Sequence, residues 1–116
     1  RVSDDKMSLV YSVADIFISP VLYDEGYATV YLEALSCGTP VISSRRGCLP
    51  YFLSPEVAEL LDHVDVTSVL QSIEKHYKNR GLLVNKRAEC TAYAERNFSE
   101  NNAQIILDSY TQARDF

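Results

Sequence analysis

Two short apolar runs separated by a helix-length segment set the strongest limit on how this chain can fold. Residues 15–19 (DIFIS) and 41–44 (VISS) are rich in Ile, Val and Phe, and the first ends at Pro20. Both are too short to be helices and read as buried strands. Between them, residues 27–36 read as a short helix, with Gly38 placed as its stop. A third strand is expected over 57–61. Near-continuous apolar strands alternating with helices imply a parallel sheet with helices on both faces. The fold class is therefore α/β: part of a doubly wound domain, with roughly three parallel strands, helices on both faces and further helices at the C-terminal end. So small a sheet is expected to leave an edge open at 15–19, where further strands would pair.

The rest of the chain reads as helices and connections. Ser3 or Asp4 can cap a first helix, on which Met7, Val10, Tyr11 and Ala14 share a face. Residues 46–55 read as a loop with a helical turn at 49–53. Asp65 or Thr67 caps the next helix, where Val69, Ile73 and Tyr77 fall on one face before Asn79-Arg80-Gly81 interrupts it. A helix follows over 83–97, and Ser99 caps a last one with an apolar stripe of Ala103, Ile106, Leu107 and Tyr110. No repeat or linker divides the 116 residues, which form one domain's worth of chain. A hydrophobic content of 47% is enough for a packed core and too high for a disordered segment.

Composition narrows the function. The net charge is −5 and the one basic cluster is Arg45-Arg46, which argues against a nucleic-acid partner. No apolar run is long enough to span a membrane, and the opening RVSDDKMSLV has neither a secretory apolar segment nor the basic character of a transit peptide. Cys37, Cys48 and Cys90 are odd in number and lack a CxxC pattern, so neither a disulfide framework nor a zinc site is expected. Reduced thiols fit a cytoplasmic protein. Taken singly, His63 and His76 read as isolated surface or core residues, Arg45-Arg46 as a solvated loop pair, and Tyr31 and Tyr51 as packing residues.

The chemistry is concentrated in residues 19–40, SPVLYDEGYATVYLEALSCGTP. A strand ends, a loop follows, and a glycine precedes a helix. In open α/β sheets ligands sit beyond the carboxyl ends of strands, in such loops. The N–H groups of Gly26, Tyr27, Ala28 and Thr29, at the positive end of the helix, have the makings of an anion site. Gly26 lets a ligand approach the backbone closely. Glu25 and Glu33 stand in an E-x7-E spacing. Both can face one pocket only if the helix runs along its wall. Val30, Tyr31, Leu32, Ala34 and Leu35 surround Glu33, so it is expected to be buried and to need a partner. Two neighbouring ribose hydroxyls would serve, and so would a structural Lys or Arg. Glu25 can equally be read as a loop acid favoured by the helix dipole.

This stretch resembles the donor-binding signature of the retaining glycosyltransferases of family four, whose GT-B fold pairs two Rossmann-like domains. Ala14-Asp15, Ser19-Pro20, Glu25-Gly26-Tyr27-Ala28, Glu33-Ala34 and Cys37-Gly38-Thr39-Pro40-Val41-Ile42 follow the family order. Glu95-Arg96-Asn97-Phe98-Ser99 and Tyr110 resemble its C-terminal pattern. The resemblance covers nearly the whole chain and implies that residues 1–116 are the C-terminal part of a nucleotide-sugar-binding domain, with the N-terminal acceptor domain absent. It further implies that Glu25 is the catalytic carboxylate, contacting hydroxyls of the donor sugar near the reacting centre. Gly26, Tyr27, Ala28 and Thr29 would hold the diphosphate, and Glu33 the ribose. A nucleoside-diphosphate sugar would be the donor, and a sugar, lipid or protein hydroxyl the acceptor. No metal or other cofactor is implied. The location would be cytoplasmic, with any contact to a membrane surface made through the missing domain. The fragment alone is expected to be inactive.

The chain departs from the pattern at Val21, Ala28, Cys48 and Tyr51, and it lacks the usual glycine-rich bend at 61–65. Those departures leave two alternatives: a non-catalytic glycosyltransferase-like domain that binds or scaffolds, and an unrelated α/β module in which Glu25 and Glu33 are structural.

Overall fold

A computed structural model describes residues 2–24, 26 and 28–114. Its elements are α1 (Asp4–Val13), β1 (Phe17–Ile18), α2 (Thr29–Ser36), β2 (Val41–Ser44), α3 (Leu49–Phe52), β3 (Ala58–Leu61), α4 (Val66–Lys78), α5 (Arg80–Phe98) and α6 (Asn101–Arg114). The strands form one parallel sheet in the order β1-β2-β3. Phe17 lies opposite Val41 and Ile18 opposite Ile42, while Val41 to Ser44 pair with Ala58 to Leu61. All four residues of β2 are buried, as expected of a central strand that runs apolar without alternation. Among the described residues β1 pairs only with β2, and Ile18 is exposed.

The core joins the sheet to the faces of α1, α2, α3 and α5. Tyr11, Tyr31, Ala34, Leu35, Leu49, Phe52, Cys90 and Ala94 pack together with Val41, Val57 and Ala58. A chain of edge-on and tilted aromatic rings threads it. Tyr11 meets Phe17 at 5.6 Å, Phe17 meets Tyr31 at 5.9 Å, Tyr31 meets Phe52 at 6.5 Å, and Phe52 meets Phe98 at 6.4 Å. These are separations at which aromatic pairs add to ordinary burial. Burial also pushes the thiol of Cys90 up to about 11, so it is a packing residue and not a nucleophile.

The helix ends follow local chemistry. Asp65 caps α4 with a capping box: its carboxylate accepts from the Ser68 N–H at 2.7 Å, and the Asp65 N–H donates to Ser68 Oγ at 3.2 Å. Ser3 is the N-cap residue of α1 but makes no side-chain cap bond. Asn79 alone separates α4 from α5, and Gly81 lies inside α5. Two expected faces are not realised. On α4 Val69 is half-buried but Ile73 and Tyr77 are exposed and Ser72 is the buried residue, because the helix turns its 68, 69, 72 and 76 positions inward. On α6 the stripe of Ile106, Leu107 and Tyr110 is exposed. Tyr51, expected to pack, is 89% exposed on the outer side of the short α3. Among the described residues no helix is long and apolar enough to cross a membrane.

Candidate functional site

The loop leaving β1 is fastened to the end of β2 before it reaches the acidic stretch. Ser43 Oγ donates to Ser19 O at 2.8 Å, and the Val21 N–H donates to Ser44 Oγ at 3.0 Å. Further along, the Gly47 N–H donates to Asp24 Oδ1 at 3.3 Å. Both serines are fully buried, where an unsatisfied hydroxyl would be costly, and the loop backbone satisfies them. From the α2 side the Tyr31 hydroxyl donates to the same Ser19 carbonyl at 2.9 Å. Loop and helix therefore share one anchor. The polar pair inside VISS was a readable signal of that anchor.

Glu25 and Tyr27 lie outside the described residues. Gly26 is exposed, and a Cβ added there would meet no heavy atom within 4 Å. Nothing in the described chain therefore requires glycine at that position. Ala28 is the N-cap of α2, with φ −81° and ψ 111°, and its methyl packs against the core. An extended backbone accepts alanine without strain. The helix begins at Thr29, two residues later than the sequence pattern suggests, because Ala28 is still extended. No side chain caps it, so the first-turn N–H groups lack the usual Ser, Thr, Asp or Asn acceptor.

Glu33 is not buried, contrary to expectation. The eight-residue α2 buries Tyr31, Ala34 and Leu35, and this turns Thr29, Val30, Glu33 and Ser36 outward. Neighbours that are apolar in sequence do not surround it in space. No Lys or Arg among the described residues pairs with it. Its partner is the hydroxyl of Tyr11 on α1, which donates to Oε2 at 3.1 Å. Burial, and then the hydrogen bond to the Glu33 carboxylate, hold the Tyr11 phenol above its ordinary value of 10.0, so it keeps its proton at neutral pH. Sequence reading placed Tyr11 on an apolar face and overlooked its hydroxyl. A tyrosine on a buried face needs a polar partner, and that was the available signal.

Glu33 opens onto a groove of about 590 Å³ between α1 and α2, a volume typical of small-ligand sites. Thr29 and Leu32 line it from α2, and Asp4, Ser8 and Tyr11 from α1. The structure thus brings Thr29 and Glu33 onto one groove, with α2 along its wall. Gly26 and Ala28 are not among its lining residues.

A second groove, of about 620 Å³, lies between β3 and the helices α4 and α5. Here the acid is already satisfied. Glu59 Oε2 accepts from Lys75 Nζ at 3.2 Å and lies 2.7 Å from His76 Nε2. His76 is thus a paired residue and not an isolated one. Burial alone would raise the Glu59 carboxyl, but the Lys75 and His76 contacts outweigh it and leave it below the ordinary 4.5. A carboxyl lowered in the folded state stabilises the fold above its unfolded value and ceases to do so as pH falls through the folded value. Stability is therefore expected to decline on acidification below about pH 4.5, and Glu59→Gln should flatten that limb by roughly 0.5–1 kcal/mol. Denaturation midpoints between about pH 3 and pH 7 check it. Among the described residues no cluster of three or more His, Cys, Asp or Glu is placed to hold a metal.

Comparison with known proteins points in a consistent direction. The family described as "Glycosyl transferases group 1" matches residues 1–97. The D-inositol 3-phosphate glycosyltransferase of Saccharomonospora viridis is 32% identical over 108 residues, covering 90% of this chain and 24% of that protein. Its namesake from Rhodococcus opacus is 35% identical over 114 residues, covering 94% of this chain and 24% of that protein. The chain therefore spans about a quarter of the length of these relatives. Among solved structures, sucrose-phosphate synthase from Thermosynechococcus elongatus superposes with a TM-score of 0.84 at 24% identity, covering 99% of this chain and 29% of that one. That last likeness speaks to the fold alone.

Proposed function

Since the chain belongs to the glycosyl transferases group 1 family, we propose that it supplies part of the donor site of a glycosyltransferase. The reading is finer than the family: a retaining enzyme of family four that moves a glycosyl group from a nucleoside-diphosphate sugar to an acceptor hydroxyl. Residues 1–116 would form the C-terminal part of the donor domain, and the acceptor would bind on an N-terminal domain beyond this chain. Glu33 takes the ribose hydroxyls. The N–H groups of Gly26, Tyr27, Ala28 and Thr29 receive the diphosphate, and Glu25 sits beside the donor sugar.

The observation that carries this reading is the state of Glu33. It is an exposed carboxylate on a ligand-sized groove, held by one neutral hydroxyl and by no cation among the described residues. Thr29, in the first turn of the same helix, lines the same groove. As the glycosidic bond breaks, negative charge grows on the leaving diphosphate, and preorganised N–H donors at a helix start stabilise that charge more than the ground state. An ionised Glu25 would stabilise the positive charge developing on the sugar ring. This chemistry requires no metal, and the reading includes none.

Titrating UDP and GDP into isotopically labelled protein tests it. Backbone amide signals of Gly26, Ala28 and Thr29 are expected to shift saturably with at least one nucleotide. If those amides stay still while nucleotide concentration rises through the range of weak binding, the diphosphate site is lost and the unrelated-module reading gains.

A further inference from the structure

Two of the acids that line grooves, Glu59 and Glu33, are held in different ways. Glu59 is paired where it stands with Lys75 and His76. Glu33 meets no Lys or Arg among the described residues, and the Tyr11 hydroxyl steers its direction. Tyr11 is well suited to steer it. The residue is only 6% exposed, its ring lies edge-on to Phe17 at 5.6 Å, and its carbonyl accepts the Thr39 hydroxyl at 2.6 Å. Backbone and ring are therefore both fixed, and the hydroxyl projects to Glu33 Oε2 at 3.1 Å. Glutamate has three rotatable side-chain bonds, and on an exposed helix face it samples many rotamers. One firm contact removes most of that freedom. A carboxylate accepts about four hydrogen bonds, so a single tyrosine donor leaves ample capacity for a pair of hydroxyls.

We propose that Tyr11 is a positioning residue for nucleotide binding: by holding Glu33 Oε2 it presents the carboxylate to a pair of vicinal hydroxyls, and so favours a ribonucleotide over its 2′-deoxy counterpart. This rests on the reading of Glu33 given above. A lone carboxylate in many orientations meets one hydroxyl nearly as well as two. A carboxylate held in one orientation gains from the second hydroxyl, and the ratio of affinities reports it. Tyr11 does not touch the reacting atoms, and its effect belongs in donor affinity and sugar discrimination rather than in turnover.

The test compares UDP and GDP with their 2′-deoxy forms on the intact protein, by calorimetry or competition, for Tyr11→Phe, Glu33→Gln and the double variant. Tyr11→Phe keeps the ring contacts and the backbone acceptor, so its melting temperature should stay close to that of the parent. The expected result is that Tyr11→Phe weakens ribonucleotide binding about 3- to 10-fold, the order of one hydrogen bond made at an exposed site, and leaves the 2′-deoxy form nearly unchanged. Glu33→Gln should also collapse the ratio, and Tyr11→Phe should then add nothing to it. If Glu33→Gln collapses the ratio and Tyr11→Phe does not, or weakens both sugars equally, the positioning role is wrong and the ribose assignment stands. If Glu33→Gln leaves the ratio untouched, or neither nucleotide binds, the ribose assignment itself falls and the role of Tyr11 goes with it.

Discussion

Tyr31→Ala is expected to destabilise the fold by about 3–5 kcal/mol, the range for removing a large buried aromatic. The side chain is 1% exposed and sits between the rings of Phe17 and Phe52. Its hydroxyl, that of Ser43 and the Ser19 carbonyl lie within 3.1 Å of one another. Two hydroxyl protons serve these contacts, so the carbonyl is satisfied in either arrangement. That redundancy separates two variants. Tyr31→Phe removes one hydroxyl and leaves Ser43 on Ser19, which should cost about 1 kcal/mol. Tyr31→Ala also removes the ring, opens a cavity, and cuts α2 loose from the loop that leads toward Glu25. Equilibrium denaturation of both variants measures the split. If the alanine variant costs no more than the phenylalanine one, the ring is not the anchor that the packing indicates.

The strands were legible because their signal is short-range. DIFIS and VISS are short apolar runs, and the structure places strands within them, at Phe17–Ile18 and Val41–Ser44; VISS is buried throughout, whereas the edge strand leaves Ile18 exposed. Gly38 was legible as a stop because few residues tolerate its backbone. The burial of Glu33 was misread because the residues adjacent to it in sequence are apolar, whereas exposure on a helix depends on angle. Tyr31, Ala34 and Leu35 take the inner face and Glu33 is turned away. The faces of α4 and α6 were misread for a related reason: an apolar stripe states that something can cover it, not that this chain does. Ile106, Leu107 and Tyr110 form such a stripe and are exposed. The tie between Tyr11 and Glu33 spans 22 positions and belongs to the packing of α1 on α2, which no local pattern encodes. Glu25, the residue most prominent in the motif, lies outside what the structure describes.

The two glycines with side-chain-sized consequences make an internally controlled second prediction. Gly38 has φ +79°, and it ends α2 in a Schellman turn, with the Gly38 N–H on Leu35 O and the Thr39 N–H on Ala34 O, both at 2.9 Å. An added Cβ would stand 3.3 Å from the Arg87 carbonyl of α5, with Thr91 Cγ2 at 3.5 Å. Gly38→Ala is therefore expected to cost about 1–2 kcal/mol for the left-handed backbone alone. Gly38→Val should add about 1–3 kcal/mol of overpacking against α5. Gly81, inside α5, has no heavy atom within 4 Å of its would-be Cβ. Gly81→Ala should stabilise by about 0.5–1 kcal/mol, since alanine loses less freedom in a helix.

The same chemical change thus has opposite signs at the two positions, and thermal or denaturant midpoints read both. The loss at Gly38 also reaches the groove. Thr39 holds the Tyr11 carbonyl, and Arg87 holds the Ala14 carbonyl at 3.0 Å, so the turn fixes where α1 ends relative to α2. On the proposed donor-site reading, at a temperature where Gly38→Ala remains folded, nucleotide affinity should still drop, while Gly81→Ala leaves it unchanged. Equal midpoints for the two alanine variants would mean that the turn after α2 is not what fixes the wall of the groove.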